Sequence, residues 1–212
     1  MENPVIILGA GRLGKAAYEI FKSNDVSVYC FLDDDKTLHN SEIGEVTVLG
    51  NTDDDGFLKY IGKKCEAFVA EDDNKVRKAT VAMLLERRKV MPVNATHKSS
   101  ILATSVALGH GNFINAGVQI GALSKLGNHC ILHSGVIIDH ESILGNFVQV
   151  GAGSVVNSGV KIDDGAFIGS GVTIVSGVNI GKGARIGAGS VVIADVKAKQ
   201  TVFGNPAKPV DL

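Results

Sequence analysis

From Leu102 onward, the aliphatic positions of this chain recur every sixth residue without an insertion. A second series of mostly small or β-branched residues follows each aliphatic position by four, from Val106 to Val196. The sixteen aliphatic positions are Leu102, Leu108, Ile114, Ile120, Leu126, Leu132, Ile138, Leu144, Val150, Val156, Ile162, Ile168, Ile174, Ile180, Ile186 and Val192. Neither an α-helix nor a simple strand has this period. A hexapeptide repeat has it, and it predicts a parallel β-helix.

Each six-residue unit predicts one short strand and one corner, and three units complete one triangular coil. The first and fifth positions of each unit are expected to face inward. Gly, Asn or Asp often follows the aliphatic residue, and we expect these residues to adopt the positive φ of a tight corner. Such positions are Gly109, Asn115, Gly121, Gly127, Gly145, Gly151, Asn157, Asp163, Gly169, Gly181 and Gly187.

The first third of the chain has a different pattern. The continuous apolar run Val5–Leu8 predicts a buried parallel strand, and the glycine turn of residues 9–14 follows it. Residues 15–22 predict a helix, and residues 26–32 predict a second strand that ends in three aspartates. This order is the first half of a Rossmann-like unit, whose glycine turn presents backbone N–H groups suited to a phosphate. Residues 46–49 and 67–70 predict further strands.

A helix is predicted at Asn74–Arg88, with its apolar stripe facing the core. The stripe consists of Val76, Ala79, Thr80, Met83, Leu84 and Leu85. Proline after Met91 ends helical structure, so we predict one domain over residues 1–93 and a second over residues 94–212. The first is too short for a full dinucleotide fold, which favours a nucleotide-sugar or an unused pocket over a nicotinamide cofactor.

Composition excludes several classes of function. The formal net charge of −1 offers no attraction to nucleic acid or to an anionic membrane. No apolar run approaches the roughly 20 residues of a membrane span, and the N-terminus lacks the basic start of a signal peptide. Cys30, Cys65 and Cys130 have no metal-binding or redox spacing, and Cys130 falls in the inward series. We therefore expect a cytoplasmic protein without a bound metal.

The exception to the scaffold pattern is the corner Asp139-His140-Glu141. By its phase, His140 projects outward, and an imidazole between two carboxylates can be held in one tautomer as a general base. A surface histidine in a polar turn, without a catalytic role, explains the same spacing equally well. His133 either lines the same groove or fills a corner, whereas His110 and His129 are expected to be solvated corner residues. No arrangement indicates a covalent acyl-enzyme.

Several motifs resemble one family over nearly the whole chain. Residues 7–11 resemble its strand and glycine turn, residues 31–34 its second strand and acidic pair, and residues 74–77 the start of its second helix. Residues 97–100 resemble its domain junction, residues 139–145 its catalytic corner, and residues 204–208 its C-terminal signature. The family is that of the NeuD/PglD-type bacterial sugar acetyltransferases, within the hexapeptide-repeat (left-handed β-helix) acyltransferases.

The resemblance implies an α/β Rossmann-like domain followed by an all-β left-handed parallel β-helix. It implies acetyl-CoA-dependent N-acetylation of a nucleotide-activated amino-sugar of the UDP-4-amino-sugar type, in a homotrimer with intersubunit sites. His140 would be the general base and Glu141 would raise its basicity, with backbone N–H groups near the corner holding the oxyanion. The implied positions along acetyl-CoA are Gln149, Ser158, Ser170 and Ala188. The implied positions for the nucleotide-sugar are Gly11, Arg12, Leu13, Asp33 and Asp34.

The chain departs from the family pattern at three places. Arg12-Leu13 stands where Gly-His is common, and Gln149 stands where a histidine often follows the base by nine residues. A glutamine donates a hydrogen bond but carries no positive charge. Glu71-Asp72-Asp73 replaces a glycine-containing turn and adds negative charge near a phosphate. O-acetylation of a sugar or a sialic acid is the alternative activity, and a non-catalytic trimeric module is the alternative class.

Overall fold

The structure, a computed structural model, describes residues 3–210 and consists of two compact units that divide between Lys98 and Ser99. The sequence prediction places this division after residue 93. Residues 94–98 belong with the first unit because they are bonded to it: the Asn24 side-chain amide donates to the Thr96 carbonyl over 2.7 Å. Met1 and Glu2, on which the signal-peptide expectation partly rests, lie outside the described residues.

The first unit is built on a five-stranded sheet with the order β3-β4-β2-β1-β5. Its strands are β1 (Val5–Leu8), β2 (Val28–Leu32), β3 (Glu42–Ile43), β4 (Val46–Gly50) and β5 (Glu66–Val69), and β6 (Ala95–Thr96) follows them. Its α-helices are α1 (Arg12–Ser23), α2 (Asp55–Leu58) and α3 (Asn74–Arg88), with a 3-10 turn at Lys36–Leu38. β1 lies between β2 and β5 and is parallel to both. The predicted Rossmann-like order is confirmed, with α1 starting three residues before its predicted start.

Helix α3 has the predicted bounds, but its predicted apolar stripe is wrong in half of its members. Val76 and Leu85 are 46% and 39% exposed, and Ala79 is also exposed. The buried residues are Arg77, Thr80, Val81 and Leu84. Arg77 is 1% exposed because its guanidinium donates to the carbonyl oxygens of Glu71 and Asp72. A charged side chain therefore faces inward at the position that an apolar pattern would assign to solvent.

The second unit is a left-handed parallel β-helix of sixteen two-residue strands, β7 to β22, as predicted. Strands one coil apart pair in parallel with a register of eighteen residues, so that Ile120 pairs with Leu102 and Ile138. The strands are β7 Ile101–Leu102, β8 Ala107–Leu108, β9 Phe113–Ile114, β10 Gln119–Ile120, β11 Lys125–Leu126, β12 Ile131–Leu132, β13 Ile137–Ile138, β14 Ile143–Leu144, β15 Gln149–Val150, β16 Val155–Val156, β17 Lys161–Ile162, β18 Phe167–Ile168, β19 Thr173–Ile174, β20 Asn179–Ile180, β21 Arg185–Ile186 and β22 Val191–Val192.

These strands form the three faces of a prism. The first face contains β7, β10, β13, β16, β19 and β22, and the second contains β8, β11, β14, β17 and β20. The third contains β9, β12, β15, β18 and β21, and is extended by β23 (Thr201–Gly204) and β24 (Ala207–Pro209). Within residues 3–210, no helix combines the length and the apolar character needed to cross a bilayer.

The interior of the prism follows the predicted phase. From Ile114 to Val192, every aliphatic residue at the first position is buried. The fifth positions are buried as well, and Cys130, one of them, is fully buried. Side chains at equivalent positions of successive coils stack on one another. The resulting column of aliphatic groups supplies the hydrophobic stabilisation of the unit.

The expected role of the residue after each aliphatic position is wrong. Positive φ occurs two residues later, at positions such as Gly117 (φ 71°) and Gly135 (φ 69°). The residue directly after the aliphatic is often glycine because the next coil lies against it. A Cβ added to Gly121 would lie 2.6 Å from the backbone nitrogen of His140. Small size, and not backbone conformation, is what these corners require at that position.

Candidate active site

His140 lies on a corner of residues 139–142 that joins the first face of the prism to the second. Its side chain is exposed, as its phase in the repeat predicts. We call the column of equivalent corners, residues 121–124, 139–142, 157–160 and 175–178, the histidine edge. Successive corners on an edge are one strand spacing apart, about 4.8 Å.

The backbone of this corner is held by the coils on both sides. The Glu141 N–H donates to the Ala122 carbonyl over 2.9 Å. The Gly159 N–H donates to the His140 carbonyl over 3.1 Å. The absence of a side chain at Gly121 lets the preceding coil approach the His140 nitrogen closely. His140 is thus carried by a backbone that is bonded above and below, and this geometry suits a positioned catalytic group.

All four backbone N–H groups of the corner donate within the chain. From residue 139 to residue 142, they donate to Val156 O, Asp139 Oδ1, Ala122 O and Ser124 Oγ, respectively. The expected N–H donors for an oxyanion near the corner therefore have to lie outside residues 139–142. The sequence analysis did not single out Ser124, whose hydroxyl accepts the Ser142 N–H. In the sequence, Ser124 is marked by a hydroxyl in an inward-facing series that is mostly aliphatic.

The imidazole is not clamped by the neighbouring carboxylates. Within residues 3–210, the His140 ring makes no hydrogen bond or ion pair with Asp139 or Glu141. The Asp139 carboxylate instead accepts the His140 backbone N–H over 2.8 Å. Adjacent side chains in a tight corner point in different directions, so proximity in sequence does not bring these carboxylates to the ring.

Glu141 has an unusual backbone conformation for its residue type. Its φ is 58°, in the left-handed region, where most corners of the β-helix have glycine. A residue with a Cβ costs roughly 1 kcal/mol in this conformation. Leu123, the equivalent residue one coil earlier on the histidine edge, has a φ of 59°, so this conformation is not restricted to the corner that carries His140.

One chain does not bring together all of the predicted cofactor residues. Ser158 lies one coil beyond His140 on the histidine edge. Ser170 and Ala188 stack on a different edge, which joins the third face to the first and which we call the glycine edge (residues 151–154, 169–172 and 187–190). Gln149 lies on the third face, which is opposite the histidine edge in a triangular coil. Its side-chain amide makes no hydrogen bond within residues 3–210.

The other histidines are separated from His140. His133 lies at the start of a corner on the glycine-edge column, with its ring 6.3 Å from that of Phe113. The expectation that His129 is solvated is wrong: it is 3% exposed and its ring stacks on Phe147 at 4.9 Å. Gly111 makes this burial possible, because a Cβ there would overlap the His129 ring.

In the first unit, the three glycines of the turn have three different surroundings. Gly9 has a φ of 112°, and an added Cβ would lie 2.5 Å from the Ala70 carbonyl. A Cβ on Gly14 would overlap the Gly9 carbonyl, whereas nothing lies within 4 Å of a Cβ on Gly11. Gly9 therefore makes the tight turn, and Gly14 allows the close contact between helix and strand. Gly11 leaves the open approach that is typical of a dinucleotide-type phosphate turn.

Helix α1 begins at this turn without a side-chain cap. Its N-cap is Gly11, and no acidic residue lies in its first turn. By contrast, Asp73 caps α3 by accepting the N–H groups of Lys75 and Val76. Arg12 is exposed beside the free end of α1, whereas Leu13 is 4% exposed, so its side chain faces the core and only its backbone can meet a ligand. The arrangement suits an anion at the start of α1.

Two aspartates at the end of β2 support the turn. Asp33 accepts the Ala10 N–H over 2.7 Å, and Asp34 accepts both the N–H and the hydroxyl of Thr52 over 2.9 Å. Glu71, after β5, lies against Gly9. Burial, followed by the charges of Asp33, Asp34 and Asp72, raises the pKa of Glu71 to about 7. Its carboxyl is therefore partly protonated at neutral pH, which reduces the negative charge beside the turn.

One cleft of the first unit coincides with neither the glycine turn nor the two aspartates at the end of β2. It has a volume of about 660 Å³ and lies at the amino ends of the strands. Its lining includes Asn3, Val5, Asn24, Val26 and Glu66. Ligands of open α/β sheets bind at the carboxyl ends of strands, where the glycine turn lies. We therefore place the site by its chemistry and not by cavity size.

Comparisons with known proteins agree with both units. The family model of the PglD N-terminal domain matches residues 4–84. The model of the bacterial transferase hexapeptide (six repeats) matches residues 141–176 and 159–194. No curated protein sequence matches the chain significantly.

Solved structures match over the full chain. A histidine-to-alanine variant of GDP-perosamine N-acetyltransferase from Caulobacter crescentus, in complex with CoA and GDP-perosamine, is 30% identical with a TM-score of 0.91, covering 100% of this chain and 98% of that one. The acetyltransferase domain of PglB from Neisseria gonorrhoeae, with acetyl coenzyme A, is 25% identical with a TM-score of 0.91, covering 99% and 100%. WeeI from Acinetobacter baumannii is 26% identical with a TM-score of 0.84, covering 98% and 99%.

Proposed function

We propose that this chain, which belongs to the PglD/NeuD-type sugar acetyltransferases of the hexapeptide-repeat superfamily, N-acetylates a nucleotide-linked 4-amino-sugar. The chain is an acetyltransferase with acetyl-CoA as co-substrate, as its family membership establishes. The proposal concerns the acceptor, the catalytic residues and the assembly.

One observation carries the proposal. A single chain combines a phosphate-type glycine turn at an uncapped helix start with an exposed imidazole on a rigid corner of the β-helix. The first feature suits the diphosphate of a nucleotide-sugar, and the second suits proton transfer at a thioester. The non-catalytic alternative requires neither of them.

The sequence resemblance favours a UDP-linked sugar. Among the matched proteins, the Caulobacter enzyme was solved with GDP-perosamine, both as the wild type and with one histidine replaced by alanine or asparagine. These complexes support a nucleotide-linked amino-sugar as the acceptor class for this chain, and a GDP-linked sugar is a candidate as well as a UDP-linked one.

In the proposed reaction, the amino group of the sugar attacks the carbonyl carbon of acetyl-CoA. His140 accepts the proton that the nitrogen loses as the C–N bond forms, and the C–S bond breaks when the tetrahedral intermediate collapses. The sulfur leaves as CoA, and the proton held by His140 returns to it. The Glu141 carboxylate favours the imidazolium of this step through its negative charge.

The oxyanion of the intermediate needs a donor from outside the His140 corner, whose N–H groups all donate within the chain. We assign this role to the side-chain amide of Gln149. Because the third face is opposite the histidine edge, this Gln149 belongs to a neighbouring copy. Acetyl-CoA then runs between copies, past Ser158 of one copy and past Ser170 and Ala188 of the other, and this arrangement leads to a homotrimer with sites between its subunits.

In the first unit, the diphosphate of the sugar binds at the N-terminus of α1. Gly11 allows close approach, Arg12 supplies a positive charge, and the backbone N–H of Leu13 faces the anion. The carboxylates of Asp33 and Asp34 lie at the end of β2, where an acidic residue of this fold type bonds to a ribose hydroxyl.

The test is a CoA-release assay against UDP-, GDP-, CMP- and dTDP-linked sugars, each in 4-amino and hydroxyl forms. We expect release only with a 4-amino sugar, and His140→Gln to lower kcat by roughly 10²- to 10⁴-fold because the base is lost. Thermal unfolding and CoA binding of this variant should match the wild type, since the ring makes no contact within the described chain that the fold needs.

Release with hydroxyl acceptors alone would replace the proposal by sugar O-acetylation. Absence of both CoA binding and release across the panel would support a non-catalytic assembly module. Full turnover by His140→Gln would remove His140 from the mechanism while leaving the acceptor class intact.

A further inference from the structure

The two ends of the corner that carries His140 are joined by a side chain from the preceding coil. Ser124 is 1% exposed, and its hydroxyl donates to the Asp139 carbonyl over 2.9 Å. The same oxygen accepts the Ser142 N–H over 3.2 Å. One buried hydroxyl therefore bonds to the first and the last residue of the corner.

Some other corners close without a side chain. The N–H of the fourth corner residue donates directly to the carbonyl of the first: Val136 to His133 and Ala166 to Asp163, each over 3.3 Å. At the His140 corner, Ser124 takes the place of this direct bond. Its hydroxyl links the two ends of the corner, between which His140 and Glu141 lie.

A second corner has the same construction without a histidine. The Ser154 hydroxyl donates to the Gly169 carbonyl over 2.8 Å and accepts the Val172 N–H over 3.2 Å. Ser154 is fully buried like Ser124, and its corner lies on the glycine edge. The chain thus contains a matched control, in which the same bridge holds a corner without an imidazole.

We propose that Ser124 is a positioning residue for His140, acting through the backbone of residues 139–142. This inference rests on the proposed function, in which His140 is the base. Because the His140 ring makes no hydrogen bond within residues 3–210, its place depends on the backbone that carries it. Proton transfer requires that place within a fraction of an ångström, and a displacement near 1 Å can cost about 10²-fold in rate.

The experiment replaces Ser124 by valine and by threonine, and it replaces Ser154 by valine as a control. β-Branched side chains fit this inward position, since Val118 and Val136 occupy it in other units. We expect Ser124→Val to lower kcat by about tenfold, with the KM values for acetyl-CoA and the acceptor within about twofold, because substrate binding does not use the hydroxyl. Ser124→Thr keeps the hydroxyl and should retain wild-type kcat.

Ser154→Val is the control for structural damage. It loses the same two hydrogen bonds, so we expect a similar fall in Tm. The corner that Ser154 bridges carries Ser170, on the proposed acetyl-CoA path, so the KM for acetyl-CoA is free to change, but kcat should keep its wild-type value. If Ser124→Val does not fold, the comparison of Ser124→Ala with Ser154→Ala decides by the same criterion. Equal kcat in the two matched variants overturns the positioning role, as does loss of kcat in Ser124→Thr with normal Tm.

Failure of the inference is separable from failure of the proposed function. If His140→Gln loses turnover and Ser124→Val does not, the base stands and the bridge is only structural. If His140→Gln retains turnover, the proposed base itself is wrong.

Discussion

At the residue scale, Glu141 combines an unfavourable backbone conformation with an exposed carboxylate beside His140. It adopts a left-handed backbone conformation, which costs roughly 1 kcal/mol, and it is exposed, so the fold gains no burial in return. A glycine would meet the structural demand better. Because this carboxylate adjoins His140, we propose that its charge is used in the reaction.

Replacement of Glu141 by glycine tests this directly. We expect Glu141→Gly to leave the free energy of unfolding unchanged or to raise it by up to about 1 kcal/mol, because the strain is relieved. Turnover should fall roughly tenfold, because the imidazolium loses its neighbouring negative charge. Chemical denaturation and the CoA-release assay measure the two effects.

Lys199→Gly is the matched control for Glu141→Gly. Lys199 is exposed and has a φ of 60° at a corner remote from His140. It should show a similar change in stability and keep its turnover. Wild-type turnover in Glu141→Gly would show that the carboxylate has no part in the reaction.

Among the elements of the first unit, the turn between β1 and α1 contains two glycines that the fold requires and one that it does not. Gly9 and Gly14 are required by the backbone groups that lie against them, whereas Gly11 faces open space. A sequence motif of three glycines does not show this difference, because it depends on how closely β5 and α1 approach β1.

Alanine at Gly11 and at Gly14 should therefore have opposite effects. We expect Gly11→Ala to fold with a Tm close to that of the wild type but to raise the KM for the nucleotide-sugar about tenfold or more, because the methyl group stands where the diphosphate approaches. Gly14→Ala should lower the free energy of unfolding by about 1–3 kcal/mol through overlap with the Gly9 carbonyl. Unchanged KM values for both substrates in Gly11→Ala would exclude the turn as the diphosphate site.

Helix α3 shows the limit of element-level patterns. Its bounds follow from Asp73 as N-cap and from the end of the apolar run, and both are local signals. The buried face instead includes Arg77, because carbonyl oxygens of the β5–α3 loop are available to its guanidinium. Apolar periodicity contains no information about such acceptors.

At the scale of the whole molecule, the proposed site needs two copies of the chain. His140 lies on the histidine edge and Gln149 on the opposite face, so one protomer cannot present both to one thioester. We therefore expect a trimer whose sites each take His140 from one subunit and Gln149 from the next.

Subunit mixing tests this arrangement. We expect Gln149→Ala to lower kcat by about 10²-fold, as the loss of an oxyanion donor does. Co-assembly of equal amounts of Gln149→Ala and His140→Ala chains should restore about a quarter of wild-type activity, since one interface in four then receives both native residues. Activity no higher than that of the separate variants, in mixed trimers verified by native mass spectrometry, would place both residues in a single protomer or outside the site.

The architecture of the second unit follows from the amino-acid pattern alone. The six-residue period appears sixteen times, and each repeat specifies the same strand and the same inward face, so the coils, the core and the outward phase of His140 all follow from it. The order of strand, glycine turn, helix and acidic pair likewise determined the Rossmann-like start of the first unit. These features depend on neighbours that are close in the chain and on a pattern that repeats.

The pattern does not specify which atoms meet between coils, and the folded chain shows them. The closeness of Gly121 to His140, the hydroxyl bridge from Ser124 and the burial of His129 all involve residues of adjacent coils, as do three of the four N–H bonds of the His140 corner. The hydrophobic pattern does not specify these contacts, because hydrogen bonds and steric overlap depend on distances of a few tenths of an ångström between segments that the pattern treats as equivalent.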